Sequence, residues 1–81
     1  MKPGDLLRLR RCGRRFGRPG MTLVVWCDSP AGEIAGSDFL PAGTPALLVD
    51  FSPWGNYIGD RLFVVVNSRT GLVWSEEVEP L

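Results

Sequence analysis

The residue types that most often carry out acid–base chemistry near neutral pH are scarce in this chain. It contains no histidine, the side chain whose ordinary pKa lies closest to neutrality. The only acidic cluster is Glu76, Glu77 and Glu79, in a terminal turn where we expect the carboxylates to be exposed. An exposed cluster does not separate the pKa values of its carboxyl groups, as a pair acting as acid and base requires. The sequence therefore predicts a protein that is not an enzyme.

Two cysteines, Cys12 and Cys27, are the remaining reactive groups. The arginines around Cys12 would lower the pKa of its thiol, but the sequence offers no partner base. Two thiolates are fewer than the four Cys or His ligands of a typical zinc site, so we expect no metal and no cofactor. A disulfide between neighbouring strands and two free thiols both fit the spacing, and an intracellular setting favours free thiols.

Basic side chains are concentrated near the start of the chain. The first twenty residues carry seven of the nine basic residues and one of the nine acidic ones, so their net charge is +6 and that of the remainder is −6. A loop rich in glycine within this segment holds the first set of candidate contact residues, Arg10, Arg11, Arg14, Arg15, Phe16 and Arg18. Arginines interleaved with an aromatic suit phosphate contacts and base stacking, but a dedicated nucleic-acid-binding domain is usually basic overall. We expect the loop to contact other protein chains, with a nucleic-acid-binding or regulatory barrel that uses residues 8–18 as the alternative.

Two aromatic residues, Trp54 and Tyr57, lie in or beside a turn rich in proline and glycine at residues 52–56. Tryptophan and tyrosine on loops are typical anchors of protein interfaces. A structural role is equally compatible with the sequence, with Trp54 folded over the end of the domain. Trp74, within a strand pattern, is expected in the core.

The elements that must position these residues are short strands. Apolar segments of five to seven residues alternate with Gly, Pro, Asn or Ser, and none has helical periodicity. Strands are predicted at 6–10, 21–27, 45–51, 62–66 and 72–74, with a tight hairpin connection at 67–71 between the last two. One helical turn at 75–77, capped by Ser75, and a short closing strand at 78–81 follow. Residues 28–44 are predicted to be a long connection without a strand. Together these patterns predict one all-β domain over residues 1–81, a small barrel of five to six strands.

Three segments, at 23–26, 46–49 and 62–66, are apolar at consecutive positions and so on both faces of the sheet. A small barrel has a single interior, so some of these side chains must point outwards. Either the 28–44 connection covers them, or they form an exposed patch of the kind that marks a protein interface.

Three further segments resemble small SH3-like barrels: residues 2–9, residues 42–50, and residues 71–81, where a strand passes through one 3₁₀ turn into a last short strand. The resemblance implies a five- to six-stranded SH3-like barrel with a long connection between strands 2 and 3. Similar short proteins are common among tailed-bacteriophage gene products, which implies a small phage structural or accessory subunit, associated with capsid or tail, that docks on other protein chains as a homo-oligomer or within a larger viral assembly. The Tyr-rich ligand-binding motif of eukaryotic SH3 modules is missing, so polyproline binding is not implied.

The location expected from the sequence is the virion or the host cytoplasm. The first residues lack the apolar core of a signal peptide. Apolar runs are five residues or shorter, against the roughly 20 that a membrane-spanning helix needs. We therefore expect neither a signal peptide nor a transmembrane segment, and no membrane partner.

Overall fold

The structure, a computed structural model, describes residues 2–10, 20–53 and 61–81. These residues form a small all-β fold of seven strands and one 3₁₀ turn. The elements are β1 (Leu6–Leu9), β2 (Met21–Cys27), β3 (Ile34–Pro41), β4 (Pro45–Phe51), β5 (Arg61–Val66), β6 (Arg69–Trp74), the 3₁₀ turn (Ser75–Glu77) and β7 (Val78–Pro80). All seven belong to one antiparallel sheet in the order β3-β2-β6-β5-β4-β1-β7.

The prediction of five or six strands was wrong because residues 28–44 contain a strand of their own. β3 pairs with the full length of β2, from Met21↔Pro41 to Cys27↔Ile34. Most of β3 is exposed, and its sequence, which includes Gly36 and Pro41, lacks the alternation by which a strand is recognised. An edge strand needs backbone pairing on one side only, so β3 forms without the apolar face that the sequence would have revealed.

The inward-facing side chains form one core. Along β1 the alternation predicted from the sequence is confirmed, with Leu7 and Leu9 buried and Leu6 and Arg8 exposed. The buried members of this core are Leu7, Leu9, Val24, Trp26, Ala46, Leu48, Leu62, Val64, Val66, Val73 and Val78. Strands from both ends of the sheet contribute to it, so the sheet curls strongly around a single interior. No ladder joins the edge strands β3 and β7 in the described part of the chain, and the sheet is unclosed.

The β5–β6 hairpin predicted at the Asn67–Gly71 segment is confirmed, with a tighter turn than expected. Asn67 and Ser68 both adopt the left-handed conformation, at φ 51° and 65°, as the two central residues of a type I′ turn do. Further along β6, Gly71 packs directly on β2. A Cβ at that position would lie 2.8 Å from Val24 Cγ1 and 2.9 Å from the Val25 carbonyl oxygen, so only glycine allows β6 and β2 to approach this closely.

The predicted closing turn is also confirmed, but two details of the prediction were wrong. Ser75 does not cap the turn, because the N-cap residue is Trp74 and no side chain caps the first turn. Glu77, expected to be exposed, is 3% exposed. The Arg10 backbone N–H donates to the Glu77 carbonyl oxygen at 2.9 Å, which draws the turn against the end of β1 and places its third residue inside.

Candidate functional site

Of the candidate contact residues predicted from the sequence, the structure describes Arg10 alone. Arg10 is exposed just after β1, and its carbonyl oxygen accepts a hydrogen bond from the Thr22 hydroxyl at 2.5 Å. The other candidates lie outside the described residues, so their predicted roles stay predictions: Arg11, Arg14, Arg15, Phe16, Arg18, Trp54 and Tyr57.

Cys27 is a buried free thiol, and Cys12 lies outside the described residues. Burial raises the pKa of the Cys27 thiol, the charge of Asp28 raises it further, and a hydrogen bond from the Ser29 backbone offsets part of the rise. The protonated thiol is a poor nucleophile. Within the part of the chain that is described, no group of three His, Cys, Asp or Glu side chains could hold a metal ion.

Exposed apolar side chains lie in a row on the outer face of the sheet. Leu6 on β1 is directly opposite Leu47 on β4, and Leu47 is directly opposite Val65 on β5. Leu6 is 58% exposed, Leu47 38%, and Val49, two residues further along β4, 40%. We call Leu6, Leu47, Val49 and Val65 the outer band. It crosses three adjacent strands on the side away from the core.

A groove lies further along the same face, between β2 and the open end of the β5–β6 hairpin. We call it the Arg61 groove; its volume is about 190 Å³ and its lining residues are Leu23, Val25, Ile34, Arg61, Leu72, Val73 and Trp74. Val25 and Leu72 are paired across β2 and β6, so the wall of the groove follows from the register of the sheet. Arg61 is the one charged residue among the described residues of this lining.

Arg61 and Trp74 are also a cross-strand pair, on β5 and β6. The guanidinium carbon of Arg61 lies 4.3 Å from the centre of the Trp74 ring, within the range of a cation–π contact. The Ser52 backbone N–H donates to the Arg61 carbonyl oxygen at 2.9 Å, which fixes the start of β5. Trp74, expected in the core, is half-buried at the groove instead, because its position in the register places it on the outer face.

The charge of Arg61 is not balanced within the described residues. Their ion pairs join Arg8 to Glu79 at 2.9 Å and Arg69 to Asp38 at 3.9 Å, and neither involves Arg61. The Nε atom of Arg61 is buried and has no hydrogen-bond acceptor in this part of the chain.

Between the outer band and the groove, the outer face has a small buried cluster of Cys27, Phe63 and Leu72. The outer face is therefore not uniformly exposed. Phe63 and Leu72 are covered, whereas the outer band is exposed. Residues 28–44 were expected either to cover this face or to leave it exposed; residues 34–41 within them extend the sheet instead and bring Ile34 to the groove.

A second cluster, at the turn end of the β5–β6 hairpin, is fully paired. The Trp26 indole N–H donates to Asp38 Oδ2 at 2.7 Å, and the Arg69 guanidinium carbon lies 4.1 Å from the centre of the Trp26 ring. The adjoining cavity, about 300 Å³, is lined by Trp26, Cys27, Asp28, Ala35, Ser68, Arg69 and Thr70. These contacts fasten the hairpin to β2 and β3.

Sequence reasoning missed both arginine–tryptophan pairs. One signal was available: Arg61 and Arg69 are the only basic residues after position 20, and each begins a strand. Comparison of the chain with protein-family models, curated proteins and solved structures finds no match. None of the described segments forms a helix that could cross a membrane.

Proposed function

We propose that this chain is a non-enzymatic protein-interaction module that docks its outer band onto another protein chain. The observation that carries the proposal is the row of Leu6, Leu47 and Val49, all more than a third exposed and adjacent across β1 and β4. Isolated apolar residues are ordinary on a protein surface, but a contiguous apolar patch is typical of an interface. Burying one such leucine completely is worth about 1.5–3 kcal/mol.

The surroundings of the outer band support the same proposal. Arg8, two residues after Leu6, is paired with Glu79 on the adjacent β7, and both side chains remain about half exposed. An apolar centre with a charged, solvated rim is the usual composition of a protein–protein interface. Rim charges contribute more to the rate and specificity of association than to affinity.

The setting we propose is the one that the sequence resemblance implies, a small structural or accessory subunit of a tailed-phage particle. The fold we propose is a variant of the SH3-like barrel. The strong curl of the sheet around one core and the passage from β6 through a 3₁₀ turn into a short last strand support it. Burial of the outer band in an assembly would stabilise a domain that is otherwise small.

Site-specific photo-crosslinking in the cells that make the protein tests this function. A photoreactive amino acid at Leu47 should form one defined protein product, and the same group at Ala31, an exposed turn residue, should not. The partner identified in that product is then tested for binding without crosslinking. Leu6→Glu combined with Leu47→Glu should weaken its binding about 100-fold or more, because two apolar contacts are lost and two charges are buried. Ala31→Glu combined with Ala42→Glu adds the same charge at exposed turns and should have little effect.

Each outcome has a definite meaning. A product with a second copy of the chain would make the partner a homo-oligomer. Crosslinks to nucleic acid, with retention that falls steeply as salt rises, would replace the proposal with the nucleic-acid-binding alternative. Equal labelling from positions 47 and 31 would contradict a role for the outer band.

A further inference from the structure

The Arg61 groove combines an unbalanced cation with apolar walls. Five of its lining residues have apolar side chains and Trp74 adds an indole ring, and no carboxylate among the described residues pairs with the guanidinium. The Nε–H of Arg61 is buried, and the described residues supply no acceptor for it. The great majority of buried polar groups in proteins have a hydrogen-bond partner, and the arginine that carries this unsatisfied donor lines the groove, so an acidic ligand there would supply acceptors for its guanidinium.

Trp74 determines how Arg61 can meet that ligand. The guanidinium carbon of Arg61 lies over the Trp74 ring, 4.3 Å from its centre. An arginine stacked in this way still has its N–H donors in the guanidinium plane, where they form the fork that matches a carboxylate. Arg61 is restrained before any ligand binds, by its contact with Trp74 and by its backbone hydrogen bond with Ser52. This restraint reduces the conformational entropy lost on binding.

The rest of the groove suits an apolar side chain. Leu23, Val25 and Leu72 form its wall, on adjacent strands. The volume of about 190 Å³ compares with the cavity of about 150 Å³ that holds benzene in an apolar protein interior. A leucine-sized group therefore fits beside the guanidinium.

We propose that the Arg61 groove binds a segment of a partner protein in which a carboxylate side chain lies next to an apolar one. Charge complementarity selects this occupant: a basic segment would be repelled by Arg61, and a phosphate backbone would leave the apolar wall unfilled. The proposal rests on the proposed function for the source of the ligand, a protein chain, and adds the chemistry of the segment it recognises. The groove and the outer band lie on the same face of the sheet and share strand β5.

Three matched peptides test the chemistry directly: acetyl-Gly-Leu-Glu-Gly-amide, its Gln analogue, and the Ala-Glu analogue. Titrations are followed by NMR through the indole N–H signal of Trp74 in the full chain. The Leu-Glu peptide should bind about tenfold more tightly than the Leu-Gln peptide, since a charge-assisted hydrogen bond is replaced by a neutral one. It should bind about fivefold more tightly than the Ala-Glu peptide, because less apolar area is buried.

Variants of the arginine assign the preference to the groove. Arg61→Met should abolish the preference for Glu over Gln and keep the preference for Leu over Ala. Arg61→Lys keeps the charge without the fork and should give an intermediate preference. Lys2→Met is the control, an exposed basic residue outside the groove lining, and should leave both preferences unchanged. Amide spectra of each variant establish that it folds.

The proposal is overturned if no peptide shifts the Trp74 signal up to its solubility limit, if Glu and Gln peptides bind equally, or if the Glu preference survives in Arg61→Met. Intact peptide preferences together with no specific crosslink at position 47 would overturn the outer-band function and leave the groove chemistry standing. Specific crosslinks without a Glu preference would do the reverse.

Discussion

Two arginines of the β5–β6 hairpin are stacked on tryptophan rings at nearly the same distance, and their surroundings differ. Arg69 lies 4.1 Å from the centre of the Trp26 ring, near the turn, and Asp38 accepts the indole N–H of that tryptophan and lies 3.9 Å from Arg69. Arg61 lies 4.3 Å from the centre of the Trp74 ring, at the open end, with no carboxylate partner among the described residues.

The difference indicates which of the two pairs is structural. Where the carboxylate is part of the fold, the stacked arginine completes a closed network and joins the hairpin to β3. Where the described residues supply no carboxylate, the same arginine–tryptophan contact lies at a groove, and a ligand can complete the network. An arginine–tryptophan contact by itself therefore does not distinguish a structural contact from a binding site. The presence or absence of a carboxylate partner does.

The largest expected effect separates the two tryptophans. Trp26 is 5% exposed and part of the main core, so Trp26→Ala should lower the free energy of unfolding by about 3–5 kcal/mol. Trp74→Ala, at the half-buried position, should lower it by about 1–2 kcal/mol. Urea denaturation of both variants measures the two values. Equal losses of unfolding free energy would mean that Trp74 contributes as much to the stability of the fold as Trp26 does.

The hairpin that carries both arginines depends on its close contact with β2. Gly71→Ala should lower the free energy of unfolding by about 1–3 kcal/mol, the usual cost of overpacking, because the new methyl group would meet backbone as well as the Val24 side chain. Ser37→Ala, on exposed β3, should change it by less than about 0.5 kcal/mol. Thermal melts are sufficient to measure this contrast. An unchanged melting temperature for Gly71→Ala would show that β2 and β6 can move apart without loss of stability.

The smallest effects on stability test the contribution of the carboxylate partner. Asp38→Ala removes the acceptor of the Trp26 indole and should cost about 1–2 kcal/mol, limited by the partial exposure of Asp38. Arg61→Met should change the free energy of unfolding by no more than about 0.5 kcal/mol, because it breaks no ion pair of the described residues. Chemical denaturation of both variants side by side checks the contrast. A large loss for Arg61→Met would show that the groove arginine is structural.

Local patterns predicted much of the fold. The alternation of Leu7 and Leu9 with arginines, the β5–β6 hairpin and the 3₁₀ turn at 75–77 all follow from interactions between residues close in sequence or from a period of two. β3 was missed because an exposed edge strand lacks that period. The burial of Glu77 was missed because it depends on a contact with Arg10, which is distant in the sequence.

The candidate site was predicted less well than the fold. The exposed apolar side chains of β4 and β5 were anticipated as a class, since consecutive apolar residues cannot all face one interior. Which of them are exposed could not be predicted. Leu47 and Phe63 both lie in consecutive apolar runs, and only the tertiary structure leaves Leu47 exposed and buries Phe63. The candidates on residues 11–18, 54 and 57 lie outside the described residues and remain sequence-based predictions.

The sequence by itself determined that this chain is an all-β domain with short strands, no histidine chemistry, and more apolar side chains than one small interior can hold. Those properties depend on composition and local spacing. Only the tertiary structure decided that Arg69 stacks on Trp26 beside a carboxylate, while Arg61 stacks on Trp74 where the described residues supply none. The reason is that strand register assigns cross-strand neighbours: Arg61 and Trp74 are thirteen positions apart in the sequence and directly opposite in the sheet.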